Sequence, residues 1–164
     1  MHENMEMKGR LTLRLIDVHG QLVDERYFSN RIVTSGRQLV AQLFGGVTAG
    51  TPPSNVTHMA VGTNATAPAD GQTALGAERS PRKPISDVNY TEFDEPVAGG
   101  GTVRRVRATI RAVFDFAEAN GTDPLREAGV FTALTGGVMY NRVIFDPVTK
   151  TSAFQLTLLW DITF

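Results

Sequence analysis

Hydrophobic and polar residues alternate along much of this chain. From Arg10 to Val18, Leu11, Leu13 and Leu15 fall on one side, and Arg10, Thr12 and Arg14 on the other. A period of two predicts a half-buried strand. His19-Gly20-Gln21 supplies a turn, and Leu22 to Phe28 reads as the returning strand of a hairpin. The latter half repeats the pattern more strongly. Val106, Ala108, Ile110, Ala112, Phe114 and Phe116 form one row, with Arg107, Thr109 and Arg111 in the other. Asn120-Gly121 signals a turn. Glu127 to Leu134 and Val138 to Phe145 read as a hairpin about Thr135-Gly136-Gly137, with Pro147 expected to break the ladder. The segment from Ala153 to Phe164 sets Phe154, Leu156, Leu158, Trp160, Ile162 and Phe164 on one face, so it has to lie in a sheet. Val56 to Gly62 and Ile85 to Phe93 are two further strands.

Only one stretch has helical spacing. After Asn30-Arg31-Ile32-Val33, Thr34 or Ser35 is placed to cap a helix that runs to about Phe44 and stops at Gly45-Gly46. Leu39, Val40, Leu43 and Phe44 share its apolar side. Three segments read as loops or turns: Ala49 to Ser54, Thr63 to Ala77, and Arg79 to Pro84, a basic turn segment with two prolines. Glu95 to Gly101, ending in three glycines, reads as a flexible connection. The sum is an all-β antiparallel sandwich of about eight strands with one short α-helix. Residues 1–9 are expected to be a flexible arm and residues 10–164 a single domain. Strands do not alternate with helices, which excludes a parallel α/β fold.

Composition narrows the chemistry. The 164 residues are 41% hydrophobic and 20% charged, with a net charge of −1 and no cysteine. Disulfides and thiolate metal sites are excluded, and no electrostatic pull toward nucleic acid is expected. No run approaches the roughly 20 apolar residues of a membrane span. The polar start, Met1 to Lys8, has no apolar signal core, so synthesis in the cytoplasm is expected.

No catalytic, metal or cofactor site emerges. His2, His19 and His58 are the only imidazoles, in a tail, a turn and a short strand, and none has a nucleophile in reach by pattern. Gly-x-Ser-x-Gly and His-Glu-x-x-His are both missing. The glycine pairs and triplets do not lead into a helix, as a phosphate cradle requires. Asn55, Asn64, Asn89 and Asn120 each begin an Asn-x-Thr triplet and read as turn residues. Arg104, Arg105, Arg107 and Arg111 are the densest positive cluster and the candidate subunit interface, although solvated arginines on an outer sheet face would look the same. Glu127, at a strand start, is expected to accept hydrogen bonds that lock its hairpin.

Two stretches carry a family resemblance. Val56-Thr57-His58-Met59-Ala60-Val61-Gly62-Thr63-Asn64-Ala65-Thr66-Ala67-Pro68, continuing to Glu78, is the first. The second is Arg126-Glu127-Ala128-Gly129-Val130-Phe131 with Gly136 to Phe145. Both resemble uncharacterised virion proteins and tail-fibre N-terminal regions of tailed bacteriophages, as does the helix segment from Asn30 to Phe44. Asn64 stands where the family has the second glycine of a Gly-Thr-Gly element, and its tolerance of positive φ is expected to preserve the turn.

Gly62, Glu127, Gly129 and Trp160 are expected to have structural roles, and the resemblance brings no catalytic residue. It implies a virion subunit at the tail, neck, collar or baseplate, in contact with other virion proteins and self-associating as a trimer or hexamer. No membrane, no specific nucleic acid and no cofactor are expected. A capsid decoration protein is the alternative. A host-glycan-binding module is disfavoured because the one tryptophan, Trp160, lies on the apolar face.

Overall fold

The computed structural model describes residues 6–164, with only the backbone of residue 80. Ten strands and one helix follow in order: β1 (Lys8–Asp17), β2 (Leu22–Ser29), β3 (Arg31–Ile32), α1 (Thr34–Gly45), β4 (His58–Gly62), β5 (Glu78–Pro84), β6 (Asp87–Pro96), β7 (Thr102–Phe114), β8 (Leu125–Phe131), β9 (Met139–Val148) and β10 (Phe154–Thr163). They make two five-stranded antiparallel sheets. The first has the order β2-β1-β10-β7-β6, the second β3-β9-β8-β4-β5. The chain is an all-β, sandwich-like fold with one short helix.

The alternating rows become the core. Leu11, Leu13, Ile110, Phe114, Leu156, Leu158 and Trp160 from the first sheet meet Met59, Val61, Ala128, Val130 and Val143 from the second. β10 sits at the centre of its sheet, with Trp160 between Leu11 on β1 and Ile110 on β7. That position explains why this strand is so apolar: it has a neighbour on each side and a layer beneath.

Several expectations are corrected. Among the described residues the strands number ten, and the two additional ones are β3 and β5. Arg79 to Pro84 is not a turn but part of edge strand β5, where prolines cost no ladder bond on the open side. Arg82 explains why this strand is basic: it stacks on the Phe131 ring at 3.6 Å and donates to the carbonyls of Ala133 and Gly136 in the β8–β9 turn. Pro147 does not end β9, which continues to Val148 through a bulge opposite Leu125 and Glu127. Asn89 lies within β6 rather than in a turn. Of the expected arm, Met1 to Met5 lie outside the described residues, whereas Lys8 and Gly9 already pair with Thr163 and Ile162. The triplet Gly99-Gly100-Gly101 closes the β6–β7 hairpin, each glycine at φ near +90° (92°, 87° and 99°), a conformation that side chains oppose.

Neither Thr34 nor Ser35 caps α1. Val33 holds the N-cap position with no side-chain bond, and the Ser35 hydroxyl donates instead to the Met139 carbonyl at 2.7 Å. The helix sits close on β9 because Gly36 has no side chain: a methyl there would fall on the Tyr140 carbonyl. Gly36→Ala should therefore destabilise the fold by roughly 1–3 kcal/mol, the usual cost of overpacking. Gly45→Ala, where a methyl meets nothing within 4 Å, should leave the thermal melt unchanged or slightly raised.

Candidate functional site

The fifteen residues between β4 and β5, 63–77, do not hang free. They fold over the outer face of the second sheet, where Leu75 joins Val33, Ala60, Phe131 and Met139 in a small second core. Beneath the loop lies an ion pair between Glu127 on β8 and Arg142 on β9, 2.8 Å apart, with both side chains at 0% exposure. Glu127 Oε1 accepts from the backbone N–H groups of Ala77 (2.7 Å) and Asn64 (3.3 Å), and Oε2 from that of Gly76 (3.0 Å). Arg142 donates to the Thr66 carbonyl, Gln72 Oε1 and Asn64 Oδ1. A buried pair is tolerated only when its remaining donors and acceptors are satisfied, and here the loop backbone satisfies them.

This arrangement accounts for two of the glycines. A methyl on Gly62 would lie 2.5 Å from both the Ala77 carbonyl and Glu127 Oε1. On Gly129 it would lie 2.9 Å from the Asn141 carbonyl and 3.0 Å from Leu75 Cδ2. The rationale expected for Asn64 is different from the one found. Among the described non-glycine residues only Ala119 has positive φ. Asn64 serves through its side chain, which accepts from Arg142 and from the Thr66 N–H at 2.7 Å. Outside this clasp the loop is tied to β3: Arg31 bonds Asp70 at 2.7 and 2.9 Å, and holds that carboxyl below its ordinary range.

A second buried cation had no signal in the sequence. Lys150, at 0% exposure, donates to the carbonyls of Asp115, Phe116 and Thr151 and to Asn120 Oδ1. Burial pushes its pKa down, against the opposing charges of Asp115 and Glu118. It gathers the segment that crosses from β7 to β8, so Asn120 belongs to an inter-sheet crossing.

The four arginines do not form one cluster. Arg104 points to the same side as Val106 and pairs with Glu92 and Asp94 across the hairpin, at 2.9 and 3.3 Å. Arg105, Arg107 and Arg111 share the outer face. Arg105 pairs with Glu95 at 2.9 Å, Arg107 lies over the Phe93 ring at 4.4 Å, and Arg111 is exposed. Residues 102–105 have ladder partners only on β6, so the hairpin end projects past β10. His58 shares a 2.8 Å hydrogen bond with the hydroxyl of Thr57, which donates to the Thr132 carbonyl. Among the described residues no three His, Cys, Asp or Glu side chains are grouped to hold a metal ion. Among the described residues no helix is long and apolar enough to cross a membrane.

One concavity is lined almost wholly by apolar side chains. At the β6 margin the two layers part, leaving a groove of about 240 Å³ between α1 and the inner face of β6, β7 and β10. Leu39, Val40 and Leu43 form one wall and Val88, Tyr90 and Phe164 the other. None of its lining residues is a carboxylate, lysine, arginine or histidine.

Fold and site together define a two-sheet antiparallel β protein organised around a buried ion pair. No family model, no curated protein and no solved structure matches the chain.

Proposed function

We propose that this chain is a non-enzymatic structural subunit of a tailed-phage virion, at the tail, neck, collar or baseplate, working by assembly with other virion proteins. The observation that carries this reading is spatial. The stretches that resemble phage virion proteins, Asn30 to Phe44, Val56 to Glu78 and Arg126 to Phe145, are far apart in the chain. In the fold they make one body: α1, β4, the overlying loop, β8 and β9. Glu127 and Arg142 tie that body together through Asn64, Gln72, Gly76 and Ala77. The similar residues are therefore the ones a shared scaffold needs, with their polar groups satisfied internally. What remains for partners is surface: the projecting β6–β7 hairpin and the apolar groove.

The test is fractionation of purified particles, followed by mass spectrometry of the separated heads and tails. The chain is expected in the tail fraction, with its neck or baseplate. Recovery with heads alone would point to capsid decoration, and absence from particles would overturn the proposal.

A further inference from the structure

At the β6 margin the two sheets do not close over one another. On β7 and β10 the inner-face residues Ile110 and Ile162 are 5% and 4% exposed. On β6 the inner-face residues Val88 and Tyr90, paired with Ile110 and Ala108, are 48% and 71% exposed. The facing helix has the same defect. Its sequence commits Leu39, Val40, Leu43 and Phe44 to one apolar side, yet only Leu39 is buried, with Leu43 at 49% and Phe44 at 95% exposure. Val40 and Phe44 are one turn apart on the helix, so Phe44 stands at the rim of the groove that Val40 lines.

We propose that this groove is an interface between copies of this chain, with Phe44 of one copy packed into the α1–β6 groove of another. The inference rests on the assembly role proposed above and names its first partner.

Three observations select a second copy as the occupant. A single patch carries both an apolar hollow and an almost fully exposed apolar knob beside it, which is the self-complementarity an isologous contact needs. None of the side chains lining the hollow is charged, so bringing it against itself sets no like-charged side chains together. The exposed parts of Phe44, Tyr90 and Phe164 amount to about two whole aromatic side chains, roughly 400 Å² of ring surface. Leu43 and Val88 add to that. An ordinary stable interface buries roughly 800 Å² per partner, so the patch supplies about half of one in apolar area alone. The β6 edge itself is a poor route for self-pairing, because Asp87, Glu92, Asp94 and Glu95 lie along it.

The expected result is a multiple of 17.8 kDa for the full chain by light scattering at micromolar concentration. Phe44→Glu and Tyr90→Glu should each give the monomer mass and still unfold cooperatively, at a melting temperature that no longer depends on protein concentration, since both side chains are exposed in the single chain. A wild-type chain that stays monomeric overturns the interface, as does an oligomer that survives both substitutions. The chain has no cysteine, which permits a direct contact test. Mixed Phe44→Cys and Tyr90→Cys chains should yield a cross-linked heterodimer on mild oxidation. Val18→Cys chains, altered at the far end of β1 from the groove, should not; equal cross-linking there overturns the contact. A monomer that still fractionates with particles would refute this interface and leave the virion role standing. An oligomer missing from particles would do the reverse.

Discussion

Replacing Glu127 by alanine should cost more than any other polar substitution in this protein, about 3–5 kcal/mol and enough to open the 63–77 loop. The carboxylate has four donors aimed at it: Arg142 Nε and the N–H groups of Asn64, Gly76 and Ala77. Removing it leaves a guanidinium in a dry site and three loop amides without their acceptor. Each stranded buried amide costs about 1–3 kcal/mol unless the loop lifts to reach water. Lifting is the cheaper response, and it exposes Leu75 and uncovers Phe131 and Met139. Arg142→Met should be milder, because the carboxylate keeps its three backbone donors while the methionine fills much of the arginine's volume. The order is the prediction: Glu127→Ala below Arg142→Met below wild type in urea midpoint. For a chain of this size ~1 kcal/mol moves the melting temperature by about 2–4 °C, so the alanine variant should melt roughly 10 °C lower. Limited proteolysis should cut it first between residues 64 and 77. A melt within about 1 kcal/mol of wild type, with the loop still protected, would show that the pair does not hold the loop.

Trp160→Asp should abolish soluble folding. Trp160 is at 0% exposure in the middle of the central strand, and truncating such a side chain already costs about 3–5 kcal/mol. The aspartate adds the burial of an unpaired charge among Leu11, Ile110 and their neighbours, and the total then matches or exceeds the ~5–15 kcal/mol that a native domain has to lose. Trp160→Phe separates packing from polarity. The indole Nε1–H is buried and has no hydrogen-bond partner among the described residues, so phenylalanine removes an unsatisfied donor as it leaves a small void. That variant should fold and melt only modestly lower. Because Trp160 is the only tryptophan, its fluorescence reports the same core in the wild type, with blue-shifted native emission that moves red in urea. A soluble Trp160→Asp protein with a normal melt would refute the placement of β10.

The groove and the loop differ in how far they could be foreseen. The loop's boundaries were visible from its Ala, Thr and Gly content, and Glu127 was recognisable as a carboxylate at a strand start. Arg142 was not. In β9 it reads as a polar residue beside Asn141 in a largely apolar stretch, and nothing in Asn141-Arg142-Val143 distinguishes a buried arginine from an exposed one. Its role depends on residues 64 to 77 returning over β8 and β9. Lys150 was hidden for the same reason, since its four oxygen partners lie at residues 115, 116, 120 and 151. The arginines of β7 were legible as a cluster because they are close in sequence, but Arg104 faces the opposite side from Arg105, Arg107 and Arg111, and their partners come from β6.

The sequence by itself determined the class of fold, the strands with clean alternation and the one helix with its apolar side, because those follow from the two-residue and 3.6-residue repeats of the backbone. It also determined that Leu156, Leu158, Trp160 and Ile162 are interior, since so apolar a face must be covered. Only the tertiary structure decided which sheet each strand joined, that Arg79 to Pro84 is an edge strand, that Glu127 meets Arg142 under a loop, and that the helix face beyond Leu39 stays open. Those outcomes depend on which distant segments share a layer. Local periodicity says which face of an element wants cover, and the packing of the whole chain decides what covers it.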